Sequence, residues 1–194
     1  MKQLVVASNN RGKIAEISAM VQNLSLLSLA DIGFTEDIPE PFDSFEENAL
    51  TKASTVQQFY GGNVFSDDSG ICVPSLGGAP GVHSAYYGGL TRTDQKNNEK
   101  LLQMLSGLED RRAFYKAVIC LIWEDQTYFF EGICHGRILE QPEGEGGFGY
   151  DPLFVPDGYE QTFASLSPEI KNSISHRGQA IRQMVNFLNS NLVA

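Results

Sequence analysis

The sequence predicts a mixed α/β fold in which helices flank a long mixed sheet, and three features of the chain lead to that reading. A strand-loop-helix unit opens the chain, two long apolar runs around a short polar turn occupy its middle, and an apolar stripe at helical spacing closes it. Elements of these two kinds bury their apolar faces by layering on one another. The 194 residues suffice for a single domain, 1–194, built as two closely joined lobes with a central cleft. A chain of this size buries roughly 70% of the surface its unfolded form exposes.

In chain order, Leu4 to Ala7 reads as a buried strand, and the polar loop Ser8 to Gly12 leads into a helix with Ile14, Ile17, Val21 and Leu24 at helical spacing. Residues 25–29 form a second strand. Phe45 to Tyr60 reads as a helix with Leu50, Ala53, Val56 and Phe59 as its apolar residues, and Asn63 to Asp67 as a strand ending in carboxylates. Ser75 to Gly89 contains Gly77, Gly78, Pro80, Gly81, Gly88 and Gly89, the composition of a loop or short irregular strand. Thr93 to Leu105 is helical, with Leu101, Leu102 and Leu105 facing inward. Ala113 to Trp123 and Thr127 to Leu139 form a long antiparallel pair around Glu124-Asp125-Gln126. A last helix over roughly 176–189 sets Ile181, Met184, Val185 and Leu188 on one stripe.

Charge narrows the partners. With 14 basic against 24 acidic residues and a net charge of -10, the surface repels long polyanions, which need an extended basic footprint. A small phosphate ligand needs only a local pocket, and a divalent cation offsets acidic surroundings. The three cysteines, Cys72, Cys120 and Cys134, lack metal-site spacing and sit in apolar runs, so they read as buried thiols. The longest apolar stretch, Ala117 to Trp123, is far below membrane-spanning length. These features predict a soluble cytoplasmic protein.

Five segments have the makings of a site. Ser8-Asn9-Asn10-Arg11-Gly12-Lys13 leaves a strand and opens a helix, where unpaired N–H groups and the helix dipole favour phosphate; with Ile14 after the lysine it is not a Walker A loop. Asp67-Asp68-Ser69-Gly70 offers carboxylates able to bind a divalent cation and accept a proton from water. Strand alternation sends the two aspartates to opposite faces, with Asp67 sharing the face of Phe65. Glu40, between Pro39 and Pro41, is stiffly held. Phe148 and Tyr150 lie among Gly146, Gly147 and Gly149, where backbone can approach a ligand while an aromatic face stacks on a base. Lys171, His176 and Arg177 add cations near the start of the last helix. Together they suit a nucleotide.

Taken together, Ser-Asn-Asn-Arg-Gly-Lys at 8–13, Glu47-Asn48-Ala49 with Lys52, Asp67-Asp68-Ser69-Gly70, Leu76-Gly77-Gly78-Ala79-Pro80-Gly81, Gly146 through Pro152 and Ser175-His176-Arg177-Gly178 resemble the inosine/xanthosine triphosphate pyrophosphatase family over nearly the whole chain. The resemblance implies a two-lobed ITPase-like fold, usually homodimeric, that requires Mg²⁺ and hydrolyses non-standard purine nucleoside triphosphates (ITP, dITP, XTP) to the monophosphate and pyrophosphate. It further implies that Ser8, Asn9, Asn10, Arg11, Gly12 and Lys13 hold phosphates with help from Lys52, that Glu40 and Asp68 hold the metal, and that Asp68 is the general base. Ser69 would touch substrate, and Phe148, Gly149, Tyr150, Asp151, Lys171, His176 and Arg177 would surround base and sugar. One position departs from the pattern. Where many relatives carry Ser-Ala-Arg, this chain has Ser84-Ala85-Tyr86, one cation fewer.

Two other functions fit the same motifs. A pyrophosphatase for modified pyrimidine nucleotides would keep the Mg²⁺ chemistry and prefer another base. A noncatalytic nucleotide-binding regulator would bind without releasing pyrophosphate, and the paired Asp67 and Asp68 with Glu40 argue against it.

Overall fold

The computed structural model describes residues 3–20, 25–89 and 93–192. The strands are β1 (Gln3–Val6), β2 (Ser25–Leu27), β3 (Val64–Cys72), β4 (Arg112–Trp123), β5 (Gln126–Ile138) and β6 (Phe154–Pro156); the helices are α1 (Arg11–Met20), α2 (Phe45–Tyr60), α3 (Asp94–Met104), α4 (Pro168–Ile174) and α5 (His176–Leu192). The result is the mixed α/β architecture expected, with one six-stranded sheet in the order β2-β1-β3-β4-β5-β6. β1 runs parallel to both β2 and β3, whereas β5 and β6 are antiparallel. Val21 and Leu24, assigned to the first helix, lie outside the described residues.

The chain forms two compact units, one of Met1–Asp68, Ala117–Gly132 and Arg177–Ala194, the other of Ser69–Lys116 and Ile133–His176. In the first unit, Leu4, Val6 and Phe65 from the sheet, with Ile119, Leu121 and Trp123, meet Ile17 of α1 and Ala180, Ile181, Met184 and Leu188 of α5. A second cluster there gathers Val5, Ala7, Leu29, Phe34 and Val64 around Val56 of α2. In the second unit, Ile71, Leu101, Leu105, Tyr115, Ile138, Leu153, Phe154 and Phe163 form the core.

Several elements depart from expectation for identifiable reasons. α2 has the predicted bounds, and Ser44 caps it by accepting from the Glu47 N–H at 3.2 Å while donating to the Glu47 carboxylate at 2.7 Å. Its buried stripe is Phe45, Asn48, Ala49, Lys52, Ala53 and Val56, however, while Leu50 and Phe59 are exposed. Two polar residues occupy the inward face because each finds hydrogen-bond partners there, Asn48 on the Phe42 backbone and Lys52 on Asp67 and Asp68. β3 does not end at its carboxylates but continues to Cys72. Gly70 permits this, since a Cβ there would lie 2.2 Å from the Gly81 carbonyl oxygen and 2.5 Å from Ser84 Oγ.

Ser84 Oγ closes that contact by accepting from Ile71 N–H at 3.0 Å and donating to Gly81 O at 2.6 Å. The glycine-rich stretch after β3 forms 3-10 turns at Pro74–Leu76 and Gly81–Tyr86. β2 is shorter than predicted, and β6 and α4 are additions, the latter started by the Ser167 cap and Pro168. The predicted β4–β5 turn holds Glu124 and Asp125 at φ of 50° and 62°, a two-residue reversal that makes the pair antiparallel. Asn63 Oδ1 secures it by accepting from Glu124 N–H at 2.9 Å.

Candidate active site

The first unit assembles its charged residues by the alternation of β3. Phe65 and Asp67 point to one face: Phe65 packs with α1 and α5, and Asp67 Oδ2 pairs with Lys13 Nζ of α1 at 2.6 Å while its Oδ1 accepts from Arg177 Nε of α5 at 3.3 Å. Ser66 and Asp68 point to the other. Ser66 Oγ donates to Ala49 O of α2 at 2.6 Å, and Asp68 Oδ1 accepts from Lys52 Nζ, also of α2, at 3.0 Å. Lys52 further donates to the Asp67 carbonyl at 2.9 Å and to Glu40. Arg177 is fastened on its far side by Glu16.

Burial gives these charges their character. Asp67 is 2% exposed. Although burial alone would raise its pKa, the charges of Arg177 and Lys13 hold its carboxyl well below the usual range. Lys13 is lowered, chiefly by burial and further by the nearby cations Lys52 and Arg177, against the pull of Asp67. For Lys52 burial opposes the charge, but Asp68 and Glu40 outweigh it and raise its pKa. Glu40 follows the same logic in reverse: burial pushes it up, and Lys52 wins and lowers it. Asp68 differs from Asp67. Burial dominates there, only partly answered by Lys52 and Lys13, and its pKa is raised, aided by the like charge of Glu40.

The donor set fits a divalent cation. Among the described residues Asp68 Oδ2 is buried with no hydrogen-bond partner, a costly state for a carboxylate oxygen that an ion would relieve. Among the described residues no three His, Cys, Asp or Glu side chains form a ready cage. Mg²⁺ is characteristically held by one or two carboxylates with substrate phosphates and water completing its shell. Glu40 and Asp68, both on the Lys52 ammonium, are two carboxylates that could serve as such a pair.

The loop before α1 is organised for its turn. Ser8 Oγ accepts from Asn10 N–H at 3.2 Å, and Asn10 Oδ1 caps the helix by accepting from Lys13 N–H at 3.1 Å. Asn9, Asn10 and Arg11 are exposed, Ser8 and Gly12 half-buried. The loop thus presents a helix N-terminus beside the half-buried Lys13.

The second unit contains the remaining predicted residues. Asp151 Oδ2 accepts from Phe148 N–H at 2.8 Å and from Lys171 Nζ at 2.6 Å, and the Lys171 ammonium lies 4.9 Å from the Phe148 ring centroid. Gly147, at φ 72°, allows this fold-back, since a Cβ there would meet Asp151 Oδ2 at 2.1 Å. Gly149 is held from α3: its N–H donates to Asp94 Oδ2 at 2.7 Å and its carbonyl accepts from Asn98 Nδ2 at 3.0 Å. Tyr150 is a core residue, 3% exposed, with its hydroxyl on Ser84 O at 2.8 Å, and burial raises its pKa; Phe148 is half-buried. His176 stacks on Tyr115 at 4.5 Å between centroids and 7° between planes. Tyr86 bonds His83 Nδ1 through its hydroxyl at 2.7 Å. Ser69 is half-buried at the start of this unit.

Glu16, Asp94 and Asn98 carry parts of these clusters that sequence reading did not single out. Glu16 had a faint signal, lying three residues after Lys13 on the same side of α1.

A mixed α/β sheet whose first strand-to-helix turn adjoins a buried network of lysines, arginine and carboxylates defines a protein suited to phosphate anions and a divalent ion. The chain belongs to the Ham1 family, which it matches over residues 4–187. A dITP/XTP pyrophosphatase of Flavobacterium psychrophilum is 48% identical over 186 residues, covering 95% of this chain and 98% of that protein. The structure of the Staphylococcus aureus Ham1 protein is similar at a TM-score of 0.90 and 38% identity, covering 98% of this chain and all of that one. A nucleoside-triphosphatase / dITP/XTP pyrophosphatase from Mycobacterium abscessus matches at a TM-score of 0.77 and 40% identity, over 94% of this chain and 98% of its own.

Proposed function

We propose that this protein hydrolyses non-standard purine nucleoside triphosphates, ITP, dITP and XTP, to the monophosphate and pyrophosphate, and so cleanses the nucleotide pool. The activity named for relatives that match along nearly their whole length supports the reading. The single structural observation that carries it is the bare, buried Oδ2 of Asp68 within a lysine-carboxylate network.

In this reading Lys13, Lys52 and the N-terminus of α1, with Ser8 to Gly12, hold the phosphates, and Glu40 and Asp68 hold Mg²⁺. Bound there, the ion would neutralise phosphate charge and polarise the scissile anhydride. Asp68 is assigned as the general base that takes a proton from the attacking water. The bond between the α and β phosphates breaks, and its electron pair leaves with pyrophosphate. Asp67 has both oxygens committed to Lys13 and Arg177, so it orients cations and does not serve as the base. Ser69 is assigned to substrate contact. Phe148, Gly149, Tyr150, Asp151, Lys171, His176 and Arg177 are assigned to the base and sugar, with Phe148 as the stacking ring and Tyr150 supporting it from the core.

The 6-oxo group of hypoxanthine and xanthine accepts hydrogen bonds where adenine donates, so donors in this set would accept the former and leave adenine mispaired. Pyrophosphate release with Mg²⁺ from ITP, XTP, GTP and ATP tests the assignment: ITP and XTP are expected to exceed ATP by about tenfold or more, and equal rates on all four would sink it. Preference for a modified pyrimidine would favour the related pyrophosphatase; binding without turnover would favour a regulator. A homodimer, checked by light scattering, and a cytoplasmic setting, in keeping with three free thiols, belong to the same proposal. No described helix is long and apolar enough to cross a membrane.

A further inference from the structure

Asn48 occupies the buried stripe of α2, where it is 1% exposed. Asparagine is a poor helix former, and a buried amide needs partners for its oxygen and nitrogen. It finds both on one residue: Asn48 Oδ1 accepts from Phe42 N–H at 3.0 Å, and Asn48 Nδ2 donates to Phe42 O at 2.9 Å. Phe42 is separated from Glu40 by Pro41 alone, whose ring fixes one of the two backbone rotations at that position. One turn further along α2, Lys52 holds the Glu40 carboxylate itself. The helix therefore grips this segment twice, by backbone at Phe42 and by side chain at Glu40.

We infer that Asn48 is a positioning residue that sets Glu40 against Asp68 for a divalent cation, acting through the backbone of Phe42 and the stiff Pro41 link. The inference rests on the assignment of Glu40 and Asp68 as metal ligands. Lys52 alone would hold the carboxylate by one side-chain contact and leave the backbone of its segment free to turn. The clamp on Phe42 removes that freedom, because a segment pinned at both ends of a three-residue span has few conformations left. Groups that orient metal ligands without touching the ion typically change affinity by about 10- to 100-fold when removed.

The test is Mn²⁺ binding to the full chain, read from the electron paramagnetic resonance of the free ion, with α,β-methylene-ITP present so that no turnover is needed. N48A is expected to weaken Mn²⁺ binding about tenfold or more, with native circular dichroism retained, and P41G to weaken it about threefold or more by loosening the link while leaving the clamp intact. E40Q is the reference. Weakening by E40Q but not by N48A or P41G overturns the positioning role. Unchanged binding in E40Q overturns the metal assignment and the inference with it. Should N48A lose native structure, P41G at its exposed position decides the matter alone.

Discussion

The two clusters are held by different means. In the first unit, side chains from α1, α2, β3 and α5 meet through buried ion pairs and are set by regular secondary structure, with Glu40 joining from an extended segment. In the second, besides the buried Asp151–Lys171 ion pair, the Phe148 to Asp151 loop is set by its own N–H groups donating to Asp151 and Asp94 and by Asn98 donating to a carbonyl. The first arrangement resists movement because separating any pair strands a buried charge. Outside that ion pair the second can be re-tuned in smaller steps, since a neutral bond to backbone contributes about 1 kcal/mol and one accepted by a carboxylate about 1.5–3 kcal/mol. Chemistry that must not vary suits the former, and recognition of differing bases suits the latter.

The sharpest way to break this contrast is Asp68→Asn, expected to lower kcat by about a thousandfold while thermal unfolding stays near that of the parent; near-normal turnover in the folded variant would remove Asp68 as base. Asp67→Ala acts on the same strand but through stability. It leaves Lys13 and Arg177 without their shared buried carboxylate, and urea unfolding is expected to show a loss of about 3–5 kcal/mol. In the second unit, Phe148→Ala is expected to raise KM for ITP about tenfold or more, the worth of one stacked base, with kcat little changed. A fall in kcat with KM intact would assign the ring to chemistry.

The smallest effect concerns the thiols, which report on each unit separately. Burial pushes Cys120 of the first unit up to about 12 and Cys134 of the second up to about 11. Both folded values exceed the ordinary thiol value near 8.5. Their contribution to stability is therefore full below about pH 8 and is lost as pH rises toward the folded values. Iodoacetamide at pH 8 is expected to label either cysteine slowly in the native protein and rapidly in urea. Fast native labelling of one alone would identify the unit that opens more readily.

Much of this fold was legible because its patterns are local. The β4–β5 pair, α2 and the opening strand announce themselves by apolar runs with polar breaks, and the alternation of Asp67 and Asp68 follows from the pleat. What escaped depends on tertiary partners outside the local pattern. Lys52 and Asn48 sit where apolar residues were expected, so the inward stripe of α2 was drawn through Leu50 and Phe59 instead. β6 has only three residues, too few for periodicity, and its existence depends on β5 beside it. Glu16 reads as surface charge until Arg177, 161 positions later, folds against it.

The fourth letter of Asp-Asp-Ser-Gly carries no chemistry of its own. At Gly70 the strand lies so near the Gly81–Tyr86 turn that a single methyl group would strike a carbonyl oxygen. That glycine records a clearance of zero, and any screen that retrieves distant relatives by this run is selecting in part for a steric fit made eleven residues downstream.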